Sequence, residues 1–358
     1  MERIQKLEIS KAGAYRQAGV DIDAGTRSVE LMRAAVRSTF GPQVMADLGY
    51  FGGMYALDGG AQVLVASADG VGTKIKLASL LGAFRSAGHD IVNHCVNDIL
   101  TCGAKPIFFL DYIASDSIVP EQIAETVTGM AEACRAAGCA ILGGETAEMP
   151  GVYRLGEFDV AGFIVGTVQR DHIIRGVDIT PGDIVIALPS NGLHTNGYSL
   201  ARKVFGLDDN DRRAALERLN KYEPSLGQTL GEALVAPHTS YLNTIVPLLD
   251  MPQRPIKGMA HITGGGLIDN IPRALPEGCA VELDTRAWNV PPIFNLIQSE
   301  GQIEPDEMAR VFNMGLGMVL FASPEGAALL KREMPQSIEV GKVVKQRGNE
   351  RVYVNFEF

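Results

Sequence analysis

The sequence predicts a mixed α/β protein made of two domains of similar size, residues 1–170 and 171–358. Three observations predict it. The chain is 358 residues long, against about 150 residues for a typical domain. One order of elements, a β-branched strand, a glycine-rich turn and a helix, recurs in both halves, as α/β layers do. Between residues 168 and 183 the chain becomes polar and turn-rich, with Pro181-Gly182 as a breaker, and the domain boundary is placed there.

Along the first half, residues 62–67 are rich in β-branched side chains and read as a strand, followed by a loop over 68–72 and a helix over about 73–84. The next helix, 89–102, sets Ile91, Val92, Cys95, Val96, Ile99 and Leu100 on one apolar face and Asp90, His94, Asn97 and Asp98 on a polar one. Residues 106–114 read as a mostly buried strand. Pro120 opens a helix that runs to about Ala137 and is stopped by Gly138. Residues 139–146 read as a strand ending in a second glycine-rich, acidic loop, and 157–168 as a closing strand. The second half repeats the order with a strand over 183–188, a loop over 189–196 and a helix over 197–205. It does so again with a strand near 256–262, a loop over 263–266 and a helix through Ile271. Helical patterns fill 212–250, and strands return at 314–322, 338–344 and 351–358. The methionines and Trp288 read as core.

Composition narrows the function. At 46% hydrophobic and 21% charged the chain is an ordinary globular protein, neither disordered, collagenous nor coiled coil, and long enough to bury a core without disulfides. A net charge of −10 without a basic stripe excludes nucleic acid as the expected partner. Five cysteines, with no C-x-x-C pair and no zinc spacing, read as reduced thiols. With no apolar targeting segment at the N-terminus and no apolar run of 18 residues, the expectation is a cytoplasmic protein without a membrane partner. Glycine is in excess, 40 residues or about 11% against about 7% on average. Clusters stand at Gly52-Gly53, Gly59-Gly60, Gly143-Gly144 and Gly264-Gly265-Gly266.

An acidic protein binds phosphates through local devices: backbone N–H nests, helix N-termini or a bridging cation. P-loop, dinucleotide-binding, zincin and nucleophile-elbow motifs are missing. Carboxylates do stand beside glycines: Asp21 and Asp23, Asp69, Asp98, Glu145 and Glu148. Hard oxygen ligands beside close-approaching backbone suit Mg2+ on phosphates; taken singly, Asp69 and Asp98 also read as a turn residue and a helix-surface residue. Asp111, inside an apolar strand, is either a ligand or a hydrogen-bonded buried carboxylate. Lys74, one turn past Gly70 and Gly72, could reach a phosphate or remain at the surface, where Lys76 is expected. Ser190, Asn191, His194, Thr195 and Asn196 crowd a loop ahead of a helix, either as an anion site or as Asn-Gly turns. His194 is either a ligand contact or a loop hydrogen-bonder, and His94 is expected to pack or hydrogen-bond rather than react. The triplet Gly264 to Gly266 allows tight packing or wraps a phosphate.

Eight blocks now carry a specific resemblance: GVDIDAG, ADGVGTKIKLA, VNDILTCGAKPIFFLDYIA, AILGGETAEMPGVY, DVAGFIVG, SNGLHTNGYSLARK, HITGGGLIDNIPR and FNMGLGMVL, in that order over residues 19–320. In this the chain resembles the aminoimidazole ribonucleotide synthetase (phosphoribosylformylglycinamidine cyclo-ligase) family. The resemblance implies a homodimer whose N-terminal strands join into a barrel, with helices around a mixed sheet in each C-terminal domain. It implies ATP and Mg2+ as cofactors and formylglycinamidine ribonucleotide as substrate. The site residues it implies are Asp69, Asp98, Lys74 and His194 in catalysis, with Asp69, Asp98 and Glu145 on the metal. Asp21, Asp23, Gly70, Gly72, Thr73, Gly143, Gly144, Glu145 and Thr146 would bind the nucleotide, and Asn191, Thr195, Asn196, Gly264, Gly265 and Gly266 the substrate. Thr26 and Arg33 depart from the family pattern, in which Asn and Lys are usual. The rivals are relatives of the thiamine-monophosphate kinase, selenophosphate synthetase and hydrogenase-maturation types, and a non-catalytic nucleotide-binding dimer. The second wants an early reactive cysteine, where the first here is Cys95, and the third a C-terminal cysteine, where Phe358 stands.

Overall fold

The computed structural model describes residues 13–57, 61–207 and 211–355; Gly59-Gly60 and the last three residues of the 351–358 strand lie outside them. Short α1 (Ala14–Gln17) and α2 (Ile22–Arg37) precede a first sheet of β1 (Gly53–Ala56), β2 (Gln62–Gly70), β3 (Lys105–Ser115), β4 (Ala140–Glu148) and β5 (Phe158–Gln169). Its order is β1-β2-β5-β3-β4, with only β3 and β4 parallel. Helix α3 (Lys74–Leu81) leads into α4 (Phe84–Leu100), and α5 (Pro120–Ala137) crosses from β3 to β4.

The second sheet contains β6 (Ile184–Pro189), β9 (Gly258–His261), β10 (Cys279–Asp284), β11 (Leu316–Ala322), β12 (Ile338–Lys345) and β13 (Val352–Asn355). Its order is β13-β10-β12-β6-β11-β9. A two-residue ladder, β7 (Tyr222–Glu223) with β8 (Gln228–Thr229), stands apart. The helices of this half are α6 (Tyr198–Val204), α7 (Arg212–Leu219), α8 (Leu230–Val235), α9 (Leu242–Leu249), α10 (Gly266–Asn270), α11 (Pro292–Gly301), α12 (Pro305–Val311) and α13 (Pro324–Glu333).

Strand alternation shows how the halves meet. In β6 and β11, Val185, Ala187, Val319 and Phe321 join a core with Phe294, Phe312 and Trp288. Ile186, Leu188, Met318 and Leu320, on the other face, share a core with Ile91, Cys95, Ile99 and Phe109. Helix α4 therefore lies in the seam, packed on the first sheet by its apolar face. Its other face, Asp90, His94, Asn97 and Asp98, is also buried. The polar stripe is not solvated: Asn93 and Asn97 donate to the carbonyls of His238 and Thr239 at 2.7 and 2.8 Å, and Asn97 accepts from the Tyr241 N–H. Across α4 and α5 the backbones touch, since a Cβ at Gly88 would lie 2.1 Å from the Thr126 carbonyl and one at Gly129 2.0 Å from that of Arg85.

Three expected boundaries shift. Ala68, Asp69 and Gly70 belong to β2 rather than to a loop, held by the ladder to β5. The helix expected over 73–84 ends at Leu81, where Gly82 is left-handed, and the next begins at Phe84 rather than His89. Gly143, Gly144, Glu145 and Thr146 are strand, not loop, because β4 continues to Glu148 in parallel register with β3.

Candidate active site

Successive strand residues point to opposite faces, so Ser67 and Asp69 share the face of β2 that looks onto α4. Ser67 Oγ donates to Asp98 Oδ2 (3.1 Å), which brings Asp69 and Asp98 onto one side of the seam. Asp69 Oδ1 accepts from the Gly70 N–H (2.7 Å), and its Oδ2 lies 2.8 Å from His94 Nε2. The other ring nitrogen of His94 is 2.7 Å from Thr195 Oγ1. Asp98 Oδ1 is 2.8 Å from His261 Nδ1, His261 Nε2 is 3.0 Å from His238 Nε2, and His238 Nδ1 is 3.3 Å from Thr195 Oγ1. His194 stacks on His238 with ring centroids 4.0 Å apart. Four of the six histidines thus meet two carboxylates, donated by both halves.

Charge divides unequally among them. Burial disfavours an imidazolium at His94, yet Asp69, Asp98 and Asp90 around it raise its pKa to about 9. Burial also works against the Asp69 carboxylate, and the His94 contact outweighs it, so Asp69 titrates below its ordinary range. Burial drives His194 and His238 well below the ordinary histidine value, with neighbouring cations adding to the effect. His261 is lowered by burial too, against the pull of Asp98. The result is one cationic imidazole on Asp69 and three neutral ones behind it.

The glycine turn after β2 faces the loop that carries His194. A Cβ on Gly72 would be 3.7 Å from the Thr195 carbonyl, and Thr73 Oγ1 is 3.0 Å from Ser199 Oγ. His194 itself holds a left-handed backbone at φ 61, a conformation rare outside glycine that marks functional or strained positions. Asn196 sits beside the triplet, its Oδ1 3.3 Å from where a Gly264 Cβ would stand, and Asn191 donates to the Pro237 carbonyl (2.8 Å). Gly265 and Gly266 both take positive φ, and Asn270 Nδ2 ties the loop by donating to the carbonyls of Gly264 and Gly266. Asp69, Asp98, Gly70, Gly72, Thr73, His194, Thr195, Asn196 and the triplet therefore converge. Beside the turn opens a cleft of about 680 Å³ lined by Gly72, Thr73, Lys76, Tyr153, Glu157 and Arg212.

Other expected residues do not join them. Lys74 is no phosphate contact: its amine is buried, 2.8 Å from Asp90 Oδ1 and 2.7 Å from the Ala236 carbonyl, and burial pushes its pKa down. Lys76, expected in solvent, pairs with Glu157. Glu145 cannot share an ion with Asp69 of the same chain: it lies in register with Tyr112, Ala161 and Gly70, three strand spacings or about 14 Å away. Gly143, Gly144 and Thr146 go with it. Asp21 caps α2, accepting from the Ala24 N–H. Asp23 pairs with Arg310, which also reaches Asp269 beyond the glycine triplet, so both stand apart from the carboxylate pair. Thr26 bonds back to the Ile22 carbonyl and Arg33 pairs with Asp47. The sequence reading missed His238 and His261. A signal for His261 was present, a polar residue ending a strand just before a glycine loop, the position Asp69 also holds. His238 has no local signal.

The chain matches two family models, "AIR synthase related protein, N-terminal domain" over residues 52–168 and "AIR synthase related protein, C-terminal domain" over 180–354. It is 51% identical to the phosphoribosylformylglycinamidine cyclo-ligase of Desulfitobacterium hafniense over 90% of this chain and 92% of that one. With the enzyme of the same name from Alkaliphilus metalliredigens it is 47% identical, covering 94% and 96% of the two chains. Among solved structures it shares its fold with thiamine-monophosphate kinase of Aquifex aeolicus at a TM-score of 0.60 and 16% identity, covering 91% and 95% of the chains. A hydrogenase maturation protein solved with ATP gives a TM-score of 0.58 at 16% identity, covering 92% and 91%. The chain therefore has the two-domain fold of the AIR synthase-related family and belongs to that family, among the phosphoribosylformylglycinamidine cyclo-ligases.

Proposed function

We infer that this chain is the enzyme that closes formylglycinamidine ribonucleotide to aminoimidazole ribonucleotide at the expense of ATP, releasing ADP and phosphate, in purine biosynthesis. The observation that carries it is identity of about half the residues, across nine-tenths of the chain, with enzymes named for this ring closure. The chemistry accounts for the kind of site seen. An amide oxygen is a poor leaving group, so the formyl oxygen is first phosphorylated, and a nitrogen of the same substrate then attacks the carbon and expels phosphate. Such a reaction asks for positioning and charge neutralisation rather than a protein nucleophile.

Phosphates are assigned to the Gly70, Gly72 and Thr73 turn and its adjoining cleft, whose volume lies within the range of about 300–1,000 Å³ usual for ligand sites. Mg2+ fits the pair Asp69 and Asp98, two hard carboxylates on the same side of the seam, where Ser67, two residues before Asp69 on the same strand face, donates to Asp98; when bound it offsets the phosphate charge. Asn191, Thr195, Asn196 and the Gly264 to Gly266 loop are assigned to the ribonucleotide. His94 holds Asp69 in place and charged. Residues 1–170 are proposed as the nucleotide and dimer domain and 171–358 as the substrate domain, in a cytoplasmic homodimer. The uncovered face of the first sheet supports the dimer: Tyr55 pairs with Leu64, and Leu110 with Phe163, with Tyr55, Leu110 and Phe163 exposed, an apolar face that asks for a partner. No helix of the described residues is long and apolar enough to cross a membrane.

The test is incubation of the purified protein with formylglycinamidine ribonucleotide, ATP and Mg2+. Aminoimidazole ribonucleotide and ADP in equal amounts are expected; ADP without ring closure would move the chain to the kinase-type relatives.

A further inference from the structure

We propose that His194, His238 and His261 form a transition-metal site in the seam, chemically distinct from the hard-oxygen pair Asp69 and Asp98, and that Zn2+ is the ion it takes. One side chain from each of all three histidines offers a nitrogen within 4.8 Å of the others, and all three are buried. The ordinary reading, a hydrogen-bonded histidine cluster, accounts for His238 and His261 but not for His194. Neither of its ring nitrogens has a hydrogen-bond partner, although the residue is 1% exposed. Buried polar atoms are normally satisfied, and the exceptions call for an explanation such as an ion. A Cβ on Gly317 would strike the Tyr241 hydroxyl at 1.8 Å and His194 Cε1 at 2.7 Å, so the glycine leaves room for both rings.

The surroundings have the features of a zinc site. Asp98 takes the Nδ1–H of His261, the carboxylate–histidine arrangement that fixes the tautomer and leaves Nε2 as the ligand atom. His261 Nε2 and His238 Nε2 are 3.0 Å apart, near the edge of about 3.3 Å that a tetrahedral ion with Zn–N of about 2.0–2.1 Å requires. With His261 Nδ1–H given to Asp98, the 3.0 Å contact makes His238 Nε2–H the donor to His261 Nε2 when no metal is bound. On binding, that proton moves to His238 Nδ1, which then donates a hydrogen bond to Thr195 Oγ1, 3.3 Å away, so the trio loses no proton. His194 has only to swing its free ring inward. Three imidazole nitrogens suit Zn2+ and not Mg2+, which prefers oxygen, and they leave a fourth position for water.

The experiment uses full-length, tag-free protein stripped with chelator and titrated with Co2+. The expected result is the visible absorption of tetrahedral Co2+, saturating at one equivalent, bleached by Zn2+ and indifferent to millimolar Mg2+. His194→Gln and His238→Gln should each weaken Co2+ by about 100-fold or more, at least the loss that outer-shell changes cause, while His89→Gln, at the surface beside Glu132, leaves it unchanged. If either variant fails to fold, zinc-edge X-ray absorption of the loaded wild type decides, with a shell of imidazole ligands expected. No tetrahedral band, displacement by Mg2+, an oxygen-only shell, or unaltered binding in a folded His194→Gln protein overturns the proposal.

Discussion

At the scale of single residues, His94 is cationic because Asp69 and Asp98 surround it, and this links stability to pH. Its folded pKa, about 9, lies above the unfolded value near 6.5. The contribution is therefore fully present below pH ~6.5 and is lost as pH rises through 9, amounting to about 3 kcal/mol at most. Urea unfolding in chelator between pH 6 and 10 should show that fall, and Asp69→Asn should flatten it. The same substitution, and Asp98→Asn, should lower ring-closure kcat/KM at low Mg2+ by about 100-fold or more if these carboxylates hold the Mg2+ that offsets phosphate charge; near-normal turnover in both would remove them from the site. Lys74 is tested by stability rather than by binding. Lys74→Met strands the Asp90 charge in a buried place, and a loss of about 3–5 kcal/mol is expected, without a matching change in the KM for ATP of the protein that remains folded.

At the scale of elements, α4 is the piece on which the site depends, because one face closes the first core and the other carries Asp98, His94 and the asparagines that bind the opposite half. Its position rests on the glycine crossing with α5. Gly129→Ala places a Cβ 2.0 Å from the Arg85 carbonyl, so the helices must separate; calorimetry should show destabilisation of roughly 1–3 kcal/mol, the usual cost of overpacking, with lower activity through the displaced Asp98. Helix α5 itself was fully legible, since Pro120 at its first turn and Gly138 in the left-handed conformation bracket it. The 143–146 segment was not. Gly-Gly reads locally as a turn, but Gly144 lies in a strand where a Cβ would strike the Asp111 carboxylate at 2.4 Å, so the glycine answers a cross-strand neighbour rather than a bend.

At the scale of the whole molecule, the uncovered face of the first sheet sets the expected assembly. Phe163→Asp should convert the dimer to monomer in sedimentation or light scattering, with the fold intact by circular dichroism, because the change places charge in a proposed apolar interface and not in either core. Because α4 lies in the seam, the residues proposed for nucleotide and those proposed for substrate face each other only when both halves are docked. The Thr73–Ser199 contact and the His94–Thr195 contact span more than 100 residues of chain.

What the sequence alone determined was the class of elements, the glycine turns beside Asp69 and at Gly264 to Gly266, and, through eight ordered blocks, the family. These are local patterns, and periodicity and turn chemistry act over a few residues. Only the tertiary structure decided that the polar face of α4 is buried, that Lys74 belongs to Asp90, that Glu145 stands three strands from Asp69, and that four histidines close on two carboxylates. Helical spacing shows that Asp90, His94 and Asp98 share a face. What that face meets is partly Lys74, Asp69 and Ser67, earlier in the same half, and partly Thr195, His238 and His261, more than 100 residues further along; helical spacing shows neither, and the need to satisfy buried polar groups, rather than solvation, selects the partners.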